Sequence, residues 1–547
     1  MSVQLVKFDF SKGKGMVKCV PSLFGIIRDH FSIEDKKKKA VARHYADHYV
    51  DPRSYAISPT GQFDVWFASE IVKYLKSRKI NFSLEATDAF KEAFSSKFDF
   101  GFNPNDNIFE LDLKLREYQR EGVKLALERG NGIFLYPTSA GKTLTMATTV
   151  KNILNRKPDA KILIVTLTHL VNQLYNDFES YGMNMKGVGK WTGDNAFDDG
   201  NNVIIAGSTI LGNHLTFDLK EYEKQNKIIR ACKKGLSVGG NDKETVKELR
   251  KQLSEAEAAV SKMDPKVQSY NRIKTYIENV YAVFIDEVHQ CKKSNIVTKL
   301  FSKLNTKHRF GYTGTMPNDK IDEWTILGKV GPLRQIVNRD MLVENGNITD
   351  VEVRFVDLHY KRTPNYEVFD EDNWQVSLEN FRIESEFLYK SEFRNNVIAK
   401  ICTAVPKNIL VLVDRIEHGE YLKNKIQEMA PNKRVVFIYG EIDKDERERV
   451  RVEMESSDNL VCIAITKIFS TGVSIKNIHF LLFAVAWKTR VSIIQSIGRG
   501  VRAMAGKERV VLFDLHDCLR YGTKHYIERM EIYKNEGFET KNQSVNE

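Results

Sequence analysis

A chain of 547 residues, 42% of them hydrophobic, is too long for one core and apolar enough to bury several, so three domains are expected. Lysine and arginine number 83 against 72 acidic residues, and the net charge of +11 favours polyanionic partners without requiring them. The six cysteines form none of the close pairs of a zinc or redox site, and no stretch nears the roughly 18 apolar residues of a membrane span, so disulfide scaffolds and membrane proteins are excluded and a soluble, cytoplasmic chain is expected.

Residues 1–105 mix strand-like runs (3–8, 63–67) with helical ones (68–75, 86–93), which predicts a small α+β domain. The run Lys36-Lys37-Lys38-Lys39 within it reads as a solvated loop. From Asn131 onward, short β-rich apolar runs alternate with polar, helix-favouring stretches. The strands are expected at 132–136, 161–165, 203–206, 282–285 and 309–312. Such alternation predicts a parallel sheet covered on both faces. One long interruption, 215–280, carries Val246, Leu249, Leu253, Ala256, Val260 and Met263 at heptad spacing. Pro265 is expected to end that helix, and Ile273, Tyr276, Ile277 and Val280 suggest another, so a helical hairpin is inserted into the sheet domain. It either decorates the lobe or touches duplex DNA or a partner. The pattern weakens near 338–350 and resumes with strands at 409–413, 434–439, 459–465, 480–486 and 509–513. The expected domains are therefore 1–105, a first α/β lobe at 106–340, a second at 341–515, and a helical tail at 516–547.

The first strand runs into Pro137-Thr138-Ser139-Ala140-Gly141-Lys142-Thr143 and then a helical stretch. Triphosphate oxygens need close backbone N–H donors, a positive point charge and a hydroxyl for Mg²⁺. Thr138, Ser139, Ala140 and Gly141 supply the backbone, Lys142 the charge and Thr143 the metal ligand. Tyr136 stands where the strict motif has its first glycine, which by itself leaves an ordinary strand-to-helix turn open. A second apolar strand ends in Asp286-Glu287-Val288-His289, with the carboxylates at the sheet edge where such folds bind ligands. Asp286 suits the Mg²⁺ shell and Glu287 suits polarisation of an attacking water. In the second lobe, Gln495-Ser496-Ile497-Gly498-Arg499-Gly500-Val501-Arg502 spaces two arginines three apart, as a pair stabilising the transferred phosphoryl group would require.

This ordered set resembles the superfamily 2 helicases from about Leu113 to Leu515, which implies two tandem RecA-like lobes with ATP between them. Arg116-Glu117-Tyr118-Gln119 is similar to the adenine-reading motif, and Gln495 is placed with the nucleotide site. Thr166 to Gln173 and Gly207-Ser208-Thr209 resemble segments that grip a nucleic-acid backbone; Thr166, Gln173, Ser208, Thr209 and Thr466 are the contacts this implies. Thr313-Gly314-Thr315 is similar to the motif coupling the two sites, and Gly472 in Ser470-Thr471-Gly472-Val473-Ser474 joins it. Tyr439-Gly440-Glu441 with Arg447 occupies an expected place in the second lobe. Ser474, in place of the usual aspartate, Ile27-Arg28-Asp29-His30-Phe31 and Phe513-Asp514-Leu515-His516-Asp517 resemble the UvsW-type phage helicases, whose relatives remodel branched DNA. The resemblance implies an ATP- and Mg²⁺-dependent DNA motor that unwinds or branch-migrates forks, junctions or R-loops, working with recombination or replication proteins. A duplex translocase without strand separation, an RNA helicase and a non-catalytic DNA-binding scaffold are the alternatives. Thr313-Gly314-Thr315 and Asp286-Glu287-Val288-His289 depart from the Ser-Ala-Thr and Asp-Glu-Ala-Asp forms of one large RNA-helicase family.

Overall fold

A computed structural model of the chain describes residues 3–35, 38, 51–137, 139–215, 218–237, 242–291, 296–366, 374–440, 444–466, 475, 477–485, 493, 497–498, 504 and 507–547. They group into two compact units. The first is built on 1–134, 143–312 and 320–334, and the second on 335–547 with the short stretches 135–142 and 313–319.

The first α/β sheet has seven strands in the order Leu333–Gln335, Gly132–Leu135, His308–Thr313, Ala282–Asp286, Ile162–Thr166, Val203–Gly207 and Val188–Trp191. Ile162–Thr166 runs parallel to both Ala282–Asp286 and Val203–Gly207. Its five residues and those of Val203–Gly207 are all buried, as continuous apolar runs in a doubly covered parallel sheet require. The helix Lys142–Arg156 crosses from one strand to the next. Its buried Thr148 and Thr149 stay satisfied by donating to Leu144 and Thr145 carbonyls at 2.8 Å each.

The inserted hairpin is present but divided differently from the expectation. Its arms are the helices Lys220–Ser237 and Lys243–Glu278, and Pro265 lies inside the second rather than ending it. A mid-helix proline costs about 3 kcal/mol. The helix persists because it is anchored on both sides of the proline. Tyr222 donates to Asp264 at 2.8 Å, Val267, Ile273, Tyr276 and Ile277 are buried, and Tyr276 donates to the Ile162 carbonyl at 3.2 Å. The heptad residues face the first arm only shallowly, and Ala256 alone among them is buried.

The N-terminal region carries a four-stranded mixed sheet in the order Gln62–Phe63, Lys14–Lys18, Gln4–Ser11 and Phe82–Ala86. The strand-like run at 63–67 resolves into that short strand and a 3-10 turn at Val65–Phe67. This region packs onto the helix Lys320–Val330 of the same unit. Trp324 meets the Phe31 ring edge-on at 5.5 Å, and the Asp64 carboxylate pairs with Lys329 at 3.4 Å.

The second unit holds another seven-stranded sheet, in the order Arg434–Ile438, Leu460–Ile465, Ile409–Val413, Phe480–Phe483, Arg509–Asp517, Asp350–His359 and Glu539–Asn546, with every adjacent pair parallel. Two of these strands were not expected. Asp350–His359 follows the polar segment 338–350, and Glu352, Arg354 and Asp357 interrupt its apolar residues. The tail expected to be helical is a helix, Arg520–Asn535, followed by the edge strand Glu539–Asn546. That strand is nearly all polar and exposed, so ladder hydrogen bonds hold it rather than burial. Glu352 adds an anchor by accepting from Lys541 and Arg509 at 2.8 Å each. Lys541 foremost, with Arg354 and Arg509, holds this carboxyl down at about 2.

Candidate ATP site

The loop after Gly132–Leu135 opens with Tyr136, whose ring is fully buried and whose N–H donates to the Thr313 carbonyl at 3.0 Å. The bulky residue in the glycine position therefore faces the interior and leaves the loop's course undisturbed. Ala140 donates back to the Pro137 carbonyl at 3.1 Å, and Ser139 and Gly141 take φ values of 70° and 81°. Left-handed residues interrupting a tight turn aim successive N–H groups to one side, as an anion nest requires. Lys142 and Thr143 then begin the helix Lys142–Arg156, so its positive N-terminal end faces the loop. Thr138 lies outside the described residues.

Asp286 ends the strand Ala282–Asp286 in the same sheet. The Thr166 hydroxyl donates to one Asp286 oxygen at 3.0 Å, and the Glu287 N–H to the other at 3.1 Å. Thr166 is 2% exposed. That placement sets the hydroxyl expected to contact nucleic acid on the Asp286 carboxylate instead of at the surface. Glu287 adopts φ 51° and ψ 53° and begins the turn Val288–Gln290. Its Oε2 lies 3.2 Å from Nδ1 of buried His289. The sequence had shown His289 beside the two carboxylates without giving it a role; a histidine two residues after a carboxylate at a strand end is the signal that was there.

Gln119 is buried, and its Oε1 accepts from the Arg116 N–H at 2.9 Å, closing the start of the helix Glu117–Arg129. Arg116 donates to the Tyr118 hydroxyl at 3.0 Å. Thr313 and Thr315 are buried and bonded to each other, with the Thr313 hydroxyl donating to the Thr315 carbonyl at 2.8 Å. Gly314 between them is half-buried. Thr313-Gly314-Thr315 and the loop after Gly132–Leu135 are thus joined directly through Tyr136.

Gln173 and Thr209 are exposed and Ser208 half-exposed, with the Thr209 N–H held by the Thr168 hydroxyl at 3.3 Å. Thr466, half-buried, donates to the Val413 carbonyl at 3.0 Å. Gln495, Arg499, Arg502 and Gly472 lie outside the described residues.

Residues 112–318 match the family described as the type III restriction enzyme res subunit, and 393–504 match the helicase conserved C-terminal domain. The chain is a superfamily 2 helicase. It is 22% identical over 448 residues to the ATP-dependent DNA helicase UvsW of Enterobacteria phage T4, covering 78% of this chain and 77% of that protein. It is 23% identical over 458 residues to putative helicase 22 of a Sulfolobus islandicus filamentous virus, covering 81% and 71%. The crystal structure of T4 UvsW aligns over 99% of both chains at 19% identity with a TM-score of 0.42. The helicase is UvsW-like and consumes ATP. Among the described residues no helix is long and apolar enough to cross a membrane.

Proposed function

We propose that this helicase is a DNA motor whose ATP site is the loop Pro137–Thr143 with Asp286 and Glu287. The observation that carries the reading is the pinned carboxylate. Asp286 is fixed by Thr166 from the neighbouring strand at the C-terminal edge of the sheet that also launches the phosphate loop. An acidic residue capping a strand for solubility would have no such buried donor. The donor set also fits Mg²⁺, a hard cation that takes few protein oxygens and shares phosphate oxygens. Thr143 and Asp286 would hold it, and the ion would neutralise charge on the transferred phosphoryl group.

Within that site Lys142 binds the terminal phosphates, the loop N–H groups orient them, and Glu287 polarises water, with His289 fixing its carboxylate. Gln119 reads the base. Arg499 and Arg502 supply positive charge on the leaving side. Gln173, Ser208, Thr209 and Thr466 meet phosphates of the strand, so recognition is independent of base sequence. DNA as the track is supported by the likeness to UvsW, which is named as a DNA helicase, and branched DNA is its proposed preferred form.

Lys142→Ala is expected to abolish DNA-stimulated ATP hydrolysis while leaving DNA binding intact. Unchanged hydrolysis in that variant refutes the assignment. Strand-displacement assays across forks, four-way junctions, R-loops and plain duplexes test the substrate. A second reading, a duplex translocase, is favoured by the match to the restriction res subunit. It predicts displacement of a duplex-bound block without release of any strand.

A further inference from the structure

The segment Ile27-Arg28-Asp29-His30-Phe31 takes no part in the ATP site, yet it is firmly built. Ile27 and Phe31 are buried, and Phe31 packs on Phe67 and Trp324. These anchors hold Arg28, on the helix Pro21–His30, against a cavity of about 550 Å³. The Arg28 guanidinium lies 3.6 Å over the Tyr55 ring, and its Nε is shielded from solvent without a hydrogen-bond partner. Lys14, Lys38 and Arg53 line the same cavity, against the carboxylates Asp51 and Asp64.

The carboxylates are committed elsewhere. Asp64 is held between Lys14 and Lys329. Asp51 accepts from the Arg53 N–H and the Tyr55 hydroxyl at 2.9 Å each. Arg53 makes a loose pair with exposed Asp29 at 3.6 Å, and Lys38 donates to the Arg53 carbonyl at 2.8 Å. Neither carboxylate meets the fork of Arg28. A guanidinium stacked on an aromatic face is pre-organised and only weakly hydrated, which is the state that favours planar recognition of phosphate. Because Arg28 already covers one face of Tyr55, the arrangement suits a phosphate better than a stacked base.

We propose that this cleft grips a backbone phosphodiester of the nucleic acid, with Arg28 as its fork and Lys38 and Arg53 on its rim, giving the helicase a contact apart from its ATP site. The proposal rests on the reading of the chain as a nucleic-acid motor and adds the site. The Asp64–Lys329 pair ties the cleft to Lys320–Val330, the helix that begins five residues after Thr315, so the grip is mounted on the body carrying the first sheet.

The test is fluorescence anisotropy of the full chain on labelled single-stranded and forked DNA across a salt series, beside DNA-stimulated ATPase. Arg28→Ala is expected to weaken binding about fivefold at ~0.1 M salt, equally for unrelated sequences, and to reduce the slope of log affinity against log salt by ~0.7–0.9. Arg28→Lys recovers the slope but only part of the affinity. Lys38→Ala, at an exposed side chain, gives the same direction of change should the first variant fold poorly. Wild-type affinity and slope in folded Arg28→Ala and Lys38→Ala overturn the proposal. So does inorganic phosphate if, at matched ionic strength and millimolar concentration, it binds the wild type but not Arg28→Ala while leaving the wild type's DNA affinity unchanged, which marks a free-anion site. Absence of DNA-stimulated ATPase in the wild type would instead remove the motor reading itself, so the two failures are distinct.

Discussion

Thr166→Val separates the two roles open to that residue. Valine keeps the shape of a side chain that is 2% exposed, so the strand Ile162–Thr166 and its neighbours stay packed. What is lost is one hydroxyl donating to Asp286 at 3.0 Å. A hydrogen bond to a charged group contributes about 1.5–3 kcal/mol, and loss of a group that orients a metal ligand costs about 10- to 100-fold in metal affinity or activity. The expected result is therefore a fall of that size in kcat for ATP at ordinary Mg²⁺, partly recovered at high Mg²⁺, with DNA affinity unchanged. Steady-state ATPase over a Mg²⁺ titration, with anisotropy for DNA, makes both measurements. A tenfold loss of DNA affinity with unchanged kcat would refute the argument and restore Thr166 to the nucleic-acid surface.

Acid sensitivity follows from two buried histidines. Burial pushes His308 down to about 4 and His418 to about 3, so below roughly 6.5 the unfolded chain takes up protons that the native state refuses. Stability should decline as pH falls from about 6.5 toward 4; urea midpoints across that range check it, and His308→Gln should flatten the profile. Arg529 and Asp514 are each about 1% exposed and paired at 2.8 Å, so Arg529→Met strands a buried carboxylate at a cost of about 3–5 kcal/mol. Adding Asp514→Leu should recover much of that loss in thermal melts, and no recovery would refute the account. Pro265→Ala should raise stability by up to ~3 kcal/mol if the proline is only tolerated; a lower melting temperature would show that the bend it imposes is needed for packing.

The tandem parallel sheets were legible because doubly covered strands must be apolar along their whole length, as Ile162–Thr166 and Val203–Gly207 are. The loop Pro137–Thr143 and the Asp286-Glu287 pair stood out in the sequence because phosphate and metal chemistry would fix residue types at a strand end, and the structure places both after strands of one sheet. What escaped depends on which strands become neighbours. Val165 pairs with Ile285, so Thr166 comes level with Asp286 across 120 residues of chain, and no local pattern announces that register. The strand Glu539–Asn546 escaped for another reason: an exposed edge strand needs ladder partners and not apolar residues. Pro265 misled because local propensity was outweighed by anchors at Tyr222–Asp264 and Tyr276, which lie in other parts of the fold.

Backbone strain marks the same place by an independent route. Among the described residues four non-glycines have positive φ: Lys12, Lys79, Ser139 and Glu287. Lys12 turns the hairpin between Gln4–Ser11 and Lys14–Lys18, and Lys79 follows the end of the helix Ala68–Ser77, so ordinary turn geometry accounts for both. Ser139 and Glu287 also lie in turns, but in neither does a hairpin or a helix end call for the left-handed residue. One sits in the loop Pro137–Thr143 and the other at the end of the strand carrying Asp286, and each conformation costs on the order of 1–3 kcal/mol. A strained residue persists only where its surroundings over-determine it. Here they do, through the Tyr136 N–H on Thr313 before the loop and the Glu287 carbonyl taken by Gln290 at 2.9 Å. Glycine at either position would relieve the strain, and at 287 it would also remove the carboxylate. In the proposed site the strained backbone sets the Glu287 carboxylate beside buried His289, 3.2 Å from its Nδ1, where it would polarise water.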